Sequence, residues 1–220
     1  MKKILIIGAS GHAKVVIDII EKQNEFEIFG LIDSFKKAGE EIYGYKILGT
    51  EDDILDLKKT HNIYGGIIAI GDNWIRMNIY HKIISFSKDF KFISAIHPRA
   101  ILGKNIYIGD GTVIMPGVII NSDASVGKFC IINTNSSLGH DGIMEDFSSM
   151  APGVTTGGNV TIGKCTSISL GVCIIHNIKI GEYSLIGSGS LIVEGIEDLK
   201  LVYGSPGKVI KTISKGHKLF

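Results

Sequence analysis

Hydrophobic positions along this chain follow two different periods. In the N-terminal part, short apolar runs alternate with segments of helical spacing. "KKILIIG" is a strand-like run that stops at a glycine, and "HAKVVIDIIEKQ" places Val15, Val16, Ile19 and Ile20 at helical intervals. "FEIFGLID" predicts a second strand ending at Asp33, and "EDDILDLKKTH" predicts a helix whose acidic first turn suits the helix dipole. "GGIIAIGDN", "WIRMNIYHKIISF" and "FKFISAIH" continue the alternation as strand, helix and strand. Strands alternating with helices predict a small parallel sheet of βαβ units.

From Ile96 the period becomes six. Stepping by six from Ile96 to Ile192 meets an aliphatic residue or methionine at every position except Thr156. The residue that follows is often glycine, as at Gly103, Gly109, Gly127, Gly139, Gly157, Gly163, Gly181 and Gly187. The fifth residue of the unit is small or β-branched, as at Ala100, Thr112, Ala124, Ser136, Val160 and Ser184. A sandwich would let such a pattern drift, and here no insertion breaks it. A six-residue repeat predicts a hexapeptide β-helix. Each unit supplies a short strand and a corner, and glycine tolerates the positive φ a corner needs. Three units close one coil of eighteen residues, and inward side chains stack on those of the next coil ~4.8 Å away. Proteins with such repeats wind left-handed, against the usual crossover rule. The expected fold class is therefore a small Rossmann-like α/β domain over residues 1–94, followed by a left-handed parallel β-helix over 95–220.

Composition narrows the partners. The 220 residues are 45% hydrophobic, enough for real cores, and 23 basic against 22 acidic residues leave a net charge of +1. No basic block stands out, so neither nucleic acid nor an anionic membrane is the expected main partner. Cys130, Cys165 and Cys173 form no CxxC pair, and their odd number fits a reducing, cytoplasmic setting. The apolar run in "MKKILIIG" is too short for a signal peptide, and no run approaches the ~18 residues of a membrane span.

Two stretches carry candidate chemistry. "NTNSSLGHDGI" sets His140 beside Asp141. His140, Gly158 and His176 are spaced by eighteen and so stack in one column. The Gly158 amide, one coil from His140, is placed to polarise a carbonyl, while His176 lies two coils away, ~10 Å. Successive strand side chains point to opposite faces. Asp141 therefore orients the imidazole only if the chain bends, and Gly139 and Gly142 allow a bend. "GASGH" follows a strand and opens a helix, aiming the amides of Ser10, Gly11 and His12 at an anion. It lacks the third glycine of the dinucleotide fingerprint, so NAD fits poorly. Asp33, Asp72 and Asn73 end strands at the same rim, where open α/β sheets bind ligands.

Taken together, "IIGASGHAKVVIDI", "IAIGDNWIR", "INTNSSLGHD", "GGNVTIG" and "VYGSPGKVI" resemble bacterial sugar acetyltransferases with left-handed β-helices. These are the nucleotide-linked amino-sugar N-acetyltransferases and the sialic acid O-acetyltransferases. The resemblance covers nearly the whole chain. It implies a homotrimer with acetyl-CoA in the groove between coils, and His140 as general base helped by Asp141. It implies CoA contacts at Gly158, Leu170, Ser188, Pro206 and Lys208. The relatives usually have glycine at the position of Ser188. It implies a sugar site that includes Asn133, and a nucleotide-linked (UDP or dTDP) 4-amino-4,6-dideoxy sugar as substrate for surface-glycan synthesis. Sialic acid or another sugar as an O-acetyl acceptor remains the alternative. The chain departs from the family at Ser149, where relatives often have histidine. A zinc hydratase on the same coil needs three protein ligands. Position 181 is glycine where the third imidazole would stand, so no metal is expected, and a non-catalytic scaffold is the other remote reading.

Overall fold

The computed structural model describes residues 1–217, and the chain divides after Pro98 into two compact units. The first holds β1 (Lys2–Ile7), α1 (Gly11–Gln23), β2 (Phe26–Ile32), β3 (Glu41–Ile42) and β4 (Tyr45–Gly49). A 3₁₀ turn at Glu51–Asp53 leads into α2 (Ile54–His61), β5 (Gly65–Ile68), α3 (Asn73–Phe86) and β6 (Lys91–Phe92). The sheet runs in the order β3-β4-β2-β1-β5-β6. β1 pairs in parallel with β2 on one side and β5 on the other, so the strand order reverses at β1. Ile4 to Ile7, Leu31, Ile32, Ile67 and Ile68 are fully buried, as continuous apolar runs in a parallel sheet require.

Two details of this unit differ from the sequence pattern. Val15 is exposed, whereas Ala13, Val16, Ile17, Ile19 and Ile20 are buried. The apolar stripe of α1 runs through Ala13, Val16, Ile17 and Ile20, and Val15 falls outside it. The β3–β4 hairpin also went unread. It turns through Tyr43 and Gly44, both at positive φ (53° and 84°), and returns β4 alongside β2.

In the second unit the six-residue register becomes rungs of two-residue strands, from Ile101–Leu102 to Leu191–Ile192. Each strand pairs in parallel with the one eighteen residues on, as Ile119 with Ser137 and Ile143 with Thr161. The result is three parallel sheets wound into a left-handed β-helix. Inward residues from Ile114 to Ile192 are buried, and Leu102 in the first coil is exposed. Thr112, Ala124, Ser136, Val160 and Ser184 are also buried, which explains why that column is small. A hairpin of Lys200–Tyr203 and Lys208–Thr212 closes the described chain, its first strand pairing with Leu185–Ile186.

The glycines after the inward positions serve a different purpose from the one their spacing suggested. Positive φ falls on another column, every sixth residue from Asn105 to Gly189, occupied by Asn, Asp and Gly but also by Phe129, Phe147, Cys165 and Tyr183. Gly109, Gly127 and Gly163 are needed because coils approach too closely for a side chain. A Cβ on Gly109 would come 2.7 Å from the Gly127 carbonyl carbon.

Candidate active site

Asp141 occupies one of these left-handed corners, at φ 56°. Asp tolerates this conformation better than most residues. The corner removes the strand alternation that would have kept its side chain from His140. The Asp141 carboxylate oxygen Oδ2 lies 2.7 Å from His140 Nδ1, with the two side chains 69% and 60% exposed. The contact assigns Nδ1 to the carboxylate and leaves Nε2 for a ligand. The main chain here is tied to both neighbouring coils. The Asp141 amide donates to the Ser122 carbonyl (3.2 Å), and the His140 carbonyl accepts from the Asn159 amide (2.7 Å).

Gly158 lies directly against the imidazole: a Cβ built there would collide with His140 Nε2 and Cε1. Its carbonyl accepts from the Asn177 amide (3.0 Å), and among the described residues no acceptor meets its own N–H. His176 is exposed in the same column, and its backbone packs against Gly157. Asn133 is half-buried, with its side-chain oxygen accepting from the Thr134 amide (2.8 Å), and Ser149 is half-buried in the rung Ser149–Met150. Leu170 and Ser188 are exposed, one coil apart in a column of their own. The Leu170 carbonyl already accepts from the Gly189 amide (2.8 Å). Pro206 and Lys208 are exposed on the hairpin.

The first unit gathers the other candidates at the C-terminal ends of β1, β2 and β5. Ser10 caps α1 in an extended conformation without a side-chain capping bond. Asp33 faces inward to the protein: Oδ2 accepts from the Ala9 amide (2.9 Å), and Oδ1 from the amides of Phe35 (2.9 Å) and Lys36 (3.1 Å). It fastens the β2 loop to the glycine loop. Asp72 caps α3 through the Ile75 amide (2.8 Å). Asn73 is buried and accepts from the buried Arg76 (2.6 Å), whose guanidinium also holds the carbonyls of Ile70 and Gly71. These residues shape the rim. His12 Nε2 is buried without a partner, and burial, then the charge of Arg76, lowers its pKa from 6.5 to about 4.

Gly71 and Phe35 join the residues that the sequence singles out at this rim. Among the described glycines, Gly11 and Gly71 alone have neither a positive φ nor any atom within 4 Å of a built Cβ. Neither backbone conformation nor packing demands glycine there, and both border the point where strand order reverses. Phe35, two residues after Asp33, is 99% exposed. A phenylalanine wholly in water beside the glycine loop is unusual, but only the structure could show it.

The rungs, the histidine column and the preceding α/β unit define an architecture: a left-handed β-helix preceded by a small α/β domain, as in the acetyltransferases this chain resembles. The comparisons agree with that architecture. Residues 3–83 match the PglD N-terminal domain. The chain is 26% identical over 208 residues to GDP-perosamine N-acetyltransferase of Escherichia coli O157:H7, covering 91% of this chain and 82% of that one. It is 33% identical over 118 residues to UDP-N-acetylbacillosamine N-acetyltransferase of Bacillus subtilis, covering 52% of each. Among solved structures, PerB from Caulobacter crescentus in complex with CoA and GDP-perosamine superposes with a TM-score of 0.89 at 28% identity, covering 96% of this chain and 98% of that one.

Proposed function

We propose that the protein transfers the acetyl group of acetyl-CoA to the amino group of a nucleotide-linked 4-amino-4,6-dideoxy sugar, with His140 as general base. The observation that carries the reading is the arrangement of His140: Nδ1 held by Asp141, and the ring seated over a glycine. Nε2 takes a proton from the sugar amine as its nitrogen attacks the thioester carbon. The new N–C bond forms a tetrahedral oxyanion, to which the Gly158 N–H donates. Collapse breaks the C–S bond, and the proton passes to the departing thiolate. The amide product and CoA leave.

The nucleotide is assigned to the rim of the first unit. The α1 N-terminus, the open space over Gly11 and Gly71, and the free Ser10 hydroxyl suit a pyrophosphate. The ring of Phe35 offers a stacking face for the base. UDP and dTDP were the expected nucleotides, and the E. coli and Caulobacter relatives, named for GDP-perosamine, add GDP. The assembly is assigned as a homotrimer with acetyl-CoA between neighbouring coils. The outer faces of Ile101, Ile119 and Ile143, all exposed in the single chain, supply apolar surface for it. CoA is assigned to Leu170, Ser188, Pro206 and Lys208, and the sugar to Asn133.

The test is acetyl transfer with UDP-, dTDP- and GDP-linked 4-amino sugars, read by thiol release, with calorimetry of the three nucleotides alone. Release with one of them is expected. Binding of none, together with O-acetylation of a free sialic acid, would replace this reading.

A further inference from the structure

We propose that Thr156 is a positioning residue for the proton-accepting histidine, a role that rests on the acetyl-transfer reading above. Thr156 is the one inward rung position without an aliphatic or methionine side chain, and it is only 7% exposed. A hydroxyl inside an apolar column needs a hydrogen bond. Its partner is the amide of Gly139, which donates to Thr156 Oγ1 at 2.9 Å.

That bond departs from the ladder on either side. In the same sheet, Gly103 donates to the Ile120 carbonyl (2.8 Å), Asn121 to the Leu138 carbonyl (3.0 Å) and Gly157 to the Ile174 carbonyl (2.8 Å). Gly139 occupies the equivalent place and donates to a side chain. The pairing thins to match: Ser137 with Thr155 is the one paired position between these rungs, whereas the rungs before and after pair at two. The irregularity falls at Leu138 and Gly139, the two residues before His140.

The same threonine opens the segment beneath the imidazole. Thr156 is followed by Gly157 and Gly158, and Gly158 lies against the His140 ring. Gly139 has no slack of its own, since a Cβ on it would run into the Gly157 carbonyl oxygen. One bond therefore sets the spacing between the strand that carries the base and the strand the base rests on. An apolar residue at 156, like those at every other rung, would return the Gly139 amide to the main-chain ladder. The coil would become more regular, and His140 would be drawn toward it.

The experiment compares Thr156→Val, Thr156→Ala and Thr156→Ser with the unaltered protein. T156V is expected to keep or raise the melting temperature and to leave both KM values within about twofold. Its kcat should fall about 10- to 100-fold, the scale of a misplacement of order 1 Å. T156S retains the hydroxyl and should restore kcat to within about threefold. A crystal structure of T156V should show the Gly139 amide on the residue 156 carbonyl and the imidazole displaced. Unchanged kcat in T156V and T156A, or a loss in T156S as large as in T156V, overturns the proposal. If the unaltered protein transfers no acetyl group, the functional reading fails instead. The T156V crystal structure then still decides, because an unmoved His140 sinks the positioning role on its own.

Discussion

The imidazole of His140 lies in the space that a side chain on residue 158 would fill, one coil further on. The proposed base and its seat are thus a matched pair. Gly158→Ala forces the exposed ring aside, and because the ring sits at the end of a flexible side chain the fold tolerates it. We expect kcat to fall about 10²-fold by misplacement. The melting temperature should stay within about 2 °C, since a surface change away from the core costs little stability. Steady-state kinetics and a thermal melt check both halves.

His140→Gln removes the proton acceptor and keeps the size. Turnover should fall by about 10²–10⁴ while KM for acetyl-CoA stays near its original value. Asp141→Asn keeps a residue that accepts the left-handed corner and removes the carboxylate from Nδ1. Because the carboxylate only orients the ring, a smaller loss in kcat than for His140→Gln is expected. A loss in D141N that exceeds that of H140Q would contradict the division of roles.

Gly11→Ala and Gly71→Ala meet no protein atom. Alanine in place of glycine at the start of α1 should stabilise slightly, up to about 1 kcal/mol. If a pyrophosphate occupies that space, KM for the nucleotide sugar rises about tenfold, a loss of about 1.4 kcal/mol of binding. KM for acetyl-CoA should not move. Two unchanged KM values would remove the nucleotide from this rim.

Phe35→Ala deletes a ring that packs against nothing, so stability should be unaffected. Loss of base stacking predicts about 1–3 kcal/mol weaker nucleotide binding by calorimetry. Equal affinity for the altered and unaltered proteins would leave Phe35 without a role at this site.

His12 predicts a pH dependence of stability. Its folded pKa of about 4 lies below the unfolded value of 6.5, so between these the unfolded chain binds the extra proton. Its contribution is complete above pH 6.5 and is lost as pH falls toward 4, by at most about 1.4 kcal/mol per pH unit. Urea unfolding at pH 7.5, 6 and 5 should show this slope, and His12→Gln should flatten it.

Much of this was legible in the residues. Ile96 to Ile192 spelled out the rungs, and a spacing of eighteen placed His140, Gly158 and His176 in one column. Gly139 and Gly142 predict the bend that Asp141 needs, whereas Asp141 itself adopts the left-handed corner. Asp33 and Asn73 were readable as polar groups at a rim. Their engagement was not, because residue spacing does not show that Asp33 Oδ2 takes the Ala9 amide of a distant loop, or that a buried Arg76 one helical turn on takes the Asn73 oxygen. Thr156 stood out as the single exception to the register, yet its spacing said nothing of the amide it holds.

By itself the sequence determined the coil, its register and the column that His140, Gly158 and His176 share. Each rung contacts only its neighbours, so a strict period of six translates directly into position. Only the tertiary structure decided where the His140 ring rests, which backbone glycines are open to a ligand, and that a buried hydroxyl takes the place of a carbonyl. Those outcomes depend on hydrogen-bond distances of a few tenths of an ångström between stacked coils, and no spacing of residue types resolves that scale.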